Sequence, residues 1–141
     1  TGSVDETGRA LASQVLGAVG ETVWFDDEAK IDAVTAISGS GPAYFFRFME
    51  ARVDAGVEAG MPPDTARELV LQTALGAARM AAETGEDPGA LRSRVTSKGG
   101  TTAEALAALD DAGLAEIVAR AVDRAAARSR TLADELSRPS G

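Results

Sequence analysis

The chain has 141 residues, which fits one typical domain, and its 14 Lys and Arg against 22 Asp and Glu give a net charge of −8. This acidic balance argues against a nucleic-acid surface, because neutralising phosphates requires clustered cations. The sequence has neither Cys nor His. Disulfides, thiolate ligands and imidazole ligands are therefore excluded, and we expect no metal site. The longest uncharged run, residues 33–46, is too short for a membrane span and is interrupted by Gly and Pro.

The first 27 residues read as a helix followed by a short strand. Apolar residues at helical spacing predict a helix over residues 5–19, and V-W-F at residues 23–25 predicts a strand. A lone strand cannot satisfy its ladder hydrogen bonds, so we expect it to pair with a segment before Thr1 or with another chain. A self-contained hairpin or edge strand is the alternative. The chain begins with Thr and no apolar signal region follows, which predicts a piece of a cytoplasmic protein.

The next stretch predicts two helices separated by S-G-S-G-P-A-Y at residues 38–44. Asp27 is a candidate cap for the first helix. Ser40 or Gly41 as cap, with Pro42 in the first helical position, predicts a second helix that continues to about residue 58. Its surface is apolar except for one polar stripe, which is more apolar area than a monomer needs. We therefore expect this helix to be buried against a partner. The stripe consists of Arg47, Glu50, Asp54 and Glu58.

Helix start and stop signals in the rest of the sequence predict four more helices. Pro62-Pro63 opens a long helix to about residue 83, and Asp87-Pro88 opens a short one that ends near Val95. A third helix follows the turn after Val95. After a break at residues 110–113, apolar residues at helical spacing predict a last helix over residues 114–136. The predicted fold class is mainly all-α, with residues 137–141 as a disordered tail.

The stretch V-T-S-K-G-G-T-T-A-E combines hydroxyls with a glycine-rich bend. Thr96 and Ser97 supply two hydroxyls, and the adjacent Gly99 and Gly100 let a ligand approach the main chain. The pattern T-x-x-E beginning at Thr101 predicts a capping box. Amides at the start of the following helix lack helical acceptors, and together with the helix dipole they suit a carboxylate or a phosphate. A plain loop before a capped helix is the alternative.

With these motifs placed, the sequence resembles pyrroline-5-carboxylate reductase, the enzyme of the last step of proline synthesis. The resemblance covers residues 32–136 and rests on D-A-V-T-A-I-S-G-S-G-P-A-Y-F-F, D-A-G-V, Q-T-A-L-G-A-A-R-M and V-T-S-K-G-G-T-T. It implies that residues 28–136 form a helical bundle that binds substrate and dimerises. It also implies that residues 1–27 end a Rossmann-type α/β domain that binds NADPH or NADH. The implied reaction is hydride transfer to 1-pyrroline-5-carboxylate, giving L-proline.

The resemblance implies roles for the glycine-rich bend. Thr102 matches the threonine that hydrogen-bonds the ring nitrogen of the substrate, and we take it as the catalytic residue. Ser97, with the amides of Gly100 and Thr101, matches the groups that hold the carboxylate, and Gly99 opens the backbone beside them. A threonine hydroxyl is too weak an acid for strong general-acid catalysis, so we expect Thr102 to orient the substrate.

The resemblance also implies a cofactor contact and shows one departure. Ser40, Gly41 and Pro42 match the stretch near the nicotinamide end of the cofactor. The chain has no glycine fingerprint after a strand, so we expect no dinucleotide bound to it alone, and no activity. Lys98 stands where the family usually has Pro, either as a solvent-facing residue or as a cation beside the carboxylate. A homodimer is expected, with larger assemblies left open, and a non-catalytic helical dimerisation module is the alternative function.

Overall fold

The computed structural model describes residues 4–137, and the regular secondary structure of these residues is entirely helical. This confirms the mainly all-α prediction. The chain divides into two compact units, Ser40–Ala121 in one and Thr1–Gly39 with Val122–Gly141 in the other. The helices are α1 (Glu6–Gly17), α2 (Lys30–Val34), α3 (Gly41–Glu58), α4 (Pro63–Thr84), α5 (Pro88–Arg94), α6 (Thr101–Asp111) and α7 (Leu114–Leu136), and one π-helical turn (Thr35–Gly39) follows α2.

Helix α1 is capped by Asp5, and Trp24, in the segment that follows the helix, contacts residues of α1. The Asp5 carboxylate accepts a hydrogen bond from the Gly8 amide at 2.8 Å, which satisfies one of the amides left free at a helix start. The indole N–H of Trp24 donates to the Ser13 hydroxyl at 2.9 Å. The Arg9 guanidinium lies 4.8 Å from the centroid of the indole ring. The Trp24 side chain is therefore held against α1.

The strand predicted at residues 23–25 does not form within the described chain, which contradicts the alternative of a self-contained hairpin or edge strand; pairing with a segment before Thr1 or with another chain stays a prediction. Residues 21–25 have no regular secondary structure. A strand requires a neighbouring strand for its ladder hydrogen bonds, and residues 4–137 supply none. The predicted boundary at residue 27 falls in a turn where the Asp27 carboxylate accepts from the Ala29 amide at 3.0 Å. That boundary stays a prediction.

A π-helical turn separates α2 from the start of α3. The periodicity predicted one helix through Ile37, but the backbone widens over Thr35–Gly39, where Ala36 is completely buried. Such turns are rare and frequently lie at functional sites. This one includes Ser38 and Gly39, the first two residues of the S-G-S-G-P-A-Y motif.

Helices α3 and α4 form the one extensive helix-to-helix packing among the described residues. Gly60, with φ +95°, makes the connection between them. A β-carbon on Gly56 would lie 3.2 Å from that of Ala66, so the missing side chain lets the two helices approach closely. On α4, Ala66 and Val70 are buried, whereas Leu69 is exposed.

The short helix α5 is held by its cap and by one buried leucine. The Asp87 carboxylate accepts from the amides of Gly89 and Ala90 at 2.8 and 3.2 Å. Leu91 is buried. Gly113, with φ +73°, then separates α6 from α7.

Many large apolar side chains stay exposed in the single chain, and they include three phenylalanines of α3, of which Phe45 is 68% exposed. The predicted excess of apolar surface on this helix is thus present. None of the described helices is long and apolar enough to cross a membrane. Of the tail predicted to be disordered, only Ser137 is described, with its amide bonded to the Ala133 carbonyl at 3.0 Å; residues 138–141 lie outside the described part.

Candidate functional site

The bend between α5 and α6 is a tight β-turn. The Gly100 amide donates to the Ser97 carbonyl at 3.1 Å, with Lys98 and Gly99 at the two central positions. Gly99 has φ +69°, a conformation that residues with a side chain rarely adopt. A positive φ at the third position with this hydrogen bond is typical of a type II turn. The glycine at position 99 is therefore required by the backbone.

Gly100 is required for a different reason. Its φ of −87° and ψ of 174° are open to any residue, and it occupies the cap position of α6. A β-carbon there would lie 2.5 Å from the hydroxyl oxygen of Ser97 and 3.3 Å from its carbonyl oxygen. The missing side chain of Gly100 thus leaves room for the Ser97 hydroxyl beside the first turn of α6.

Two amides at the start of α6 are available to a ligand. The amides of Ala103 and Glu104 bond to the Gly100 carbonyl at 3.0 and 3.3 Å, whereas those of Thr101 and Thr102 reach no acceptor within residues 4–137. The positive end of the helix dipole lies at the same place. The Gly100 amide, which the resemblance assigned to the carboxylate, donates instead within the turn. The free amide donors are therefore those of Thr101 and Thr102, one residue later than the expected pair of Gly100 and Thr101.

Two details of the predicted hydroxyl and capping pattern are wrong. Gly100 rather than Thr101 occupies the cap position, and no side chain caps α6, so the capping box does not form. The reason is that the extended backbone of Gly100 starts the helix one residue earlier. The Thr96 hydroxyl donates to the Arg92 carbonyl at 2.6 Å, which leaves the Ser97 hydroxyl, beside Gly100, as the hydroxyl available to a ligand.

The second predicted segment lies at the start of α3. Ser40 is the cap residue, but its side chain makes no capping bond, and Pro42 takes the second rather than the first helical position. Gly41 is buried. No hydrogen bond among the described residues joins these three to residues 97–102. The hydroxyl of Tyr44, near the start of the same helix, is buried and has no hydrogen-bond partner within the described chain.

Two charged residues that form no ion pair within the described chain lie close to the bend, Lys98 within the turn and Glu104 in the first turn of α6. Lys98 makes no ion pair with the carboxylates of residues 4–137, so its cation stands uncompensated next to Ser97. Arg94 pairs with Glu86 at 2.8 Å, a contact that sequence reasoning missed. Over the same residues, no cluster of three or more acidic side chains forms a candidate metal site. The site therefore offers a hydroxyl, free amides and a nearby cation to a small anion.

Comparisons with known proteins identify the family of this chain. The family model described as "Pyrroline-5-carboxylate reductase dimerisation" matches residues 28–132. The pyrroline-5-carboxylate reductase of Pseudomonas aeruginosa is 52% identical over 125 residues, which cover 89% of this chain and 46% of that protein. The Glycine max enzyme is 44% identical over 131 residues, which cover 93% of this chain and 47% of that one.

Solved structures give the same result. A pyrroline-5-carboxylate reductase from Coxiella burnetii matches with a TM-score of 0.89 and 42% identity, over 94% of this chain and 49% of that one. The Plasmodium falciparum enzyme, solved with NADP bound, matches with a TM-score of 0.81 and 31% identity, over 93% of this chain and 50% of that one. The chain spans about half the length of the relatives that it matches. It belongs to the pyrroline-5-carboxylate reductase family.

Proposed function

We propose that this chain is the C-terminal, dimerising and substrate-binding part of a pyrroline-5-carboxylate reductase. In this proposal the whole enzyme reduces 1-pyrroline-5-carboxylate to L-proline in the cytoplasm, with NADPH or NADH as the hydride donor. Residues 28–136 form the helical domain, and residues 1–27 end the nucleotide-binding domain. Family membership supports the reaction, and the free donors at the start of α6 support the site.

The substrate carboxylate binds at the bend between α5 and α6. The observation that carries this assignment is the pair of free amides on Thr101 and Thr102 beside the Ser97 hydroxyl. Amides at a helix start attract anions through hydrogen bonds and through the dipole. Gly99 and Gly100 contribute by leaving the backbone open to the ligand. A hydroxyl with two amides can satisfy both oxygens of one carboxylate.

The Thr102 hydroxyl then hydrogen-bonds the ring nitrogen. Thr102 is the second residue of α6, so in this proposal the same residue supplies one amide for the carboxylate and the hydroxyl for the nitrogen. A fixed carboxylate and a fixed nitrogen orient the ring, which presents the imine carbon to the hydride donor. Because threonine is a weak acid, its contribution is orientation, and the product nitrogen takes its proton from solvent.

The bound dinucleotide supplies the hydride, but residues 4–137 do not fit its pyrophosphate. Dinucleotide sites of the Rossmann type place the pyrophosphate on a glycine-rich turn between a strand and a helix, and the described residues contain no strand. At most the nicotinamide end approaches Ser40, Gly41 and Pro42. The isolated chain is therefore expected to be inactive.

The test is Thr102→Ala in the full-length enzyme. Loss of one productive hydrogen bond should lower kcat/KM for pyrroline-5-carboxylate by about tenfold or more. Thr102→Ser, which keeps a hydroxyl, should stay within about threefold of wild type, because the donor is retained. Wild-type kcat/KM in Thr102→Ala would remove this site assignment.

A non-catalytic dimerisation module is the second candidate function. The observation that favours it is the exposed aromatic surface of α3, which needs a partner whether or not the bend binds substrate. Calorimetric titration of this chain with proline separates the two. Measurable binding that Thr102→Ala weakens supports the enzyme, and activity of the full-length protein excludes a purely structural module.

A further inference from the structure

The last residue of α5, Arg94, forms an ion pair with Glu86, which lies two residues before the start of that helix. The Arg94 guanidinium donates to both carboxylate oxygens of Glu86, at 2.8 and 3.1 Å through the same nitrogen. Glu86 lies two residues before α5 and Arg94 ends it, so the ion pair runs the length of the helix. We call this pair the Arg94–Glu86 clamp.

The clamp is anchored to the end of α4 through Thr84. The Glu86 amide donates to the Thr84 hydroxyl at 3.2 Å, and that hydroxyl donates to the Met80 carbonyl at 2.8 Å. The second terminal nitrogen of Arg94 lies 3.8 Å from the Met80 sulfur. Arg94 is thus tied to the last turn of α4 by a polar chain and by a direct contact.

Every step from Arg94 to the bend is also bonded. The Val95 amide donates to the Leu91 carbonyl at 3.2 Å, and the Thr96 amide donates to the Ser93 carbonyl at 3.2 Å. The Thr96 hydroxyl closes onto the Arg92 carbonyl at 2.6 Å. Movement of the α5 terminus is therefore passed on to the β-turn that follows.

The β-turn itself has little packing to hold it. Ser97, Lys98 and Gly99 are all exposed, and the turn contains one internal hydrogen bond, between Ser97 and Gly100. A segment with few buried contacts opens easily unless its ends are fixed. The clamp fixes the end that enters the turn.

We propose that Arg94 and Glu86 are positioning residues that keep the turn in its substrate-binding conformation. This inference rests on the proposed function of that turn. If loss of the clamp lowers the fraction of enzyme with a competent turn, the apparent affinity falls by that fraction. Bound substrate then re-forms the turn through its own hydrogen bonds. KM rises while kcat stays the same.

The test uses Arg94→Ala and Glu86→Ala in the full-length enzyme. The two side chains are 54% and 40% exposed, so the effect should match the small free-energy contribution of a solvent-exposed ion pair. Each variant should therefore raise KM by roughly two- to fivefold with kcat unchanged. The matched control is Arg128→Ala. It removes an ion pair to Glu135 of 2.9 Å with exposures of 57% and 51%, and it should leave KM unchanged.

Two further measurements separate positioning from general destabilisation. The exchanged pair Glu86→Arg with Arg94→Glu restores opposite charges, and it should return KM to within about twofold of wild type. Amide hydrogen exchange of the free enzyme should be faster over residues 95–102 in Arg94→Ala and unchanged there in Arg128→Ala.

An unchanged KM in Arg94→Ala, an equal rise in Arg128→Ala, or failure of the exchanged pair to restore KM would each overturn the clamp. Thr102→Ala keeps this outcome distinct from failure of the proposed function. If Thr102→Ala lowers kcat/KM and Arg94→Ala leaves KM unchanged, the site stands and the clamp fails. If Thr102→Ala has no effect, the proposed function fails, and hydrogen exchange alone decides whether the clamp orders the turn.

Discussion

The hydroxyl oxygen of Ser97 lies 2.5 Å from the point that a β-carbon on Gly100 would occupy. No real β-carbon tolerates so close an oxygen, so Ser97 keeps this position only because residue 100 is glycine. The backbone of Gly100 demands no glycine, since its φ is −87°. Glycine is needed at position 100 because a β-carbon would clash with the Ser97 hydroxyl.

Gly100→Ala should therefore impair substrate binding with little effect on folding. The new methyl group forces the Ser97 hydroxyl into another rotamer, away from its place beside residue 100 at the cap of α6. We expect kcat/KM of the full-length enzyme to fall by about tenfold, the scale of one lost hydrogen bond. Steady-state kinetics measure this, and circular dichroism melting should show a Tm near that of wild type.

Gly76→Ala is the control for that variant. Gly76 lies inside α4, and a β-carbon there meets nothing within 4 Å. Alanine is the better helix former by about 0.5–1 kcal/mol, so stability should rise slightly and kinetics should not change. If Gly100→Ala also keeps wild-type kcat/KM, the Ser97 hydroxyl has no part in binding.

Unlike Gly100→Ala, Gly99→Ala should destabilise the folded protein. At φ +69° an alanine costs roughly 1–2 kcal/mol, although nothing lies within 4 Å of its β-carbon. We expect the free energy of unfolding in urea to fall by that amount. Gly99→Asn should lose less, since asparagine tolerates this conformation better. Equal stability of Gly99→Ala and wild type would contradict the turn described for residues 97–100.

The helices could be predicted because their signals are local. Pro63 and Asp87 mark helix starts, and Gly85, with φ +64°, marks the end of α4. The prediction of a capping box at Thr101 was wrong because the local signal is ambiguous there. Gly100 and Thr101 are both acceptable caps, and the sequence pattern alone does not tell which residue has the extended backbone.

What escaped prediction depends on contacts rather than on periodicity. The Arg94–Glu86 clamp joins residues on either side of a helix, so no helical spacing rule identifies it. The π-helical turn at Thr35–Gly39 keeps an apolar pattern that also suits an α-helix. The strand at residues 23–25 has strand-like residues but no neighbouring strand within the described chain.

Lys98→Pro should stabilise the protein. Lys98 occupies the second position of the β-turn, where proline is favoured, and its φ is not positive. Its amide donates to no acceptor in the described residues, so proline forfeits no hydrogen bond. We expect a gain of about 0.4–1 kcal/mol in the free energy of unfolding, measured in urea.

The same variant also tests whether the Lys98 cation contacts substrate. If it faces solvent, kcat of the full-length enzyme should stay within about tenfold of wild type in Lys98→Pro, because exposed charges contribute little. Lys98→Met removes the charge without stiffening the turn and serves as the matched variant. A larger loss in both would show that the ammonium group contacts the substrate.

The exposed phenylalanines of α3 predict that this chain forms a dimer. Phe45 is 68% exposed in the single chain, and burial of one such side chain stabilises by about 1.5–3 kcal/mol. A symmetric dimer buries two copies, so Phe45→Glu should weaken association by at least about a hundredfold. Analytical ultracentrifugation should show a dimer for wild type and a monomer for the variant at micromolar concentration.

Leu11→Glu, at a site 62% exposed on α1 and outside residues 28–132, is the control and should remain dimeric. A dimeric Phe45→Glu would place the subunit contact on another face, and a well-folded wild-type monomer would argue against both candidate functions, because each of them requires a second subunit.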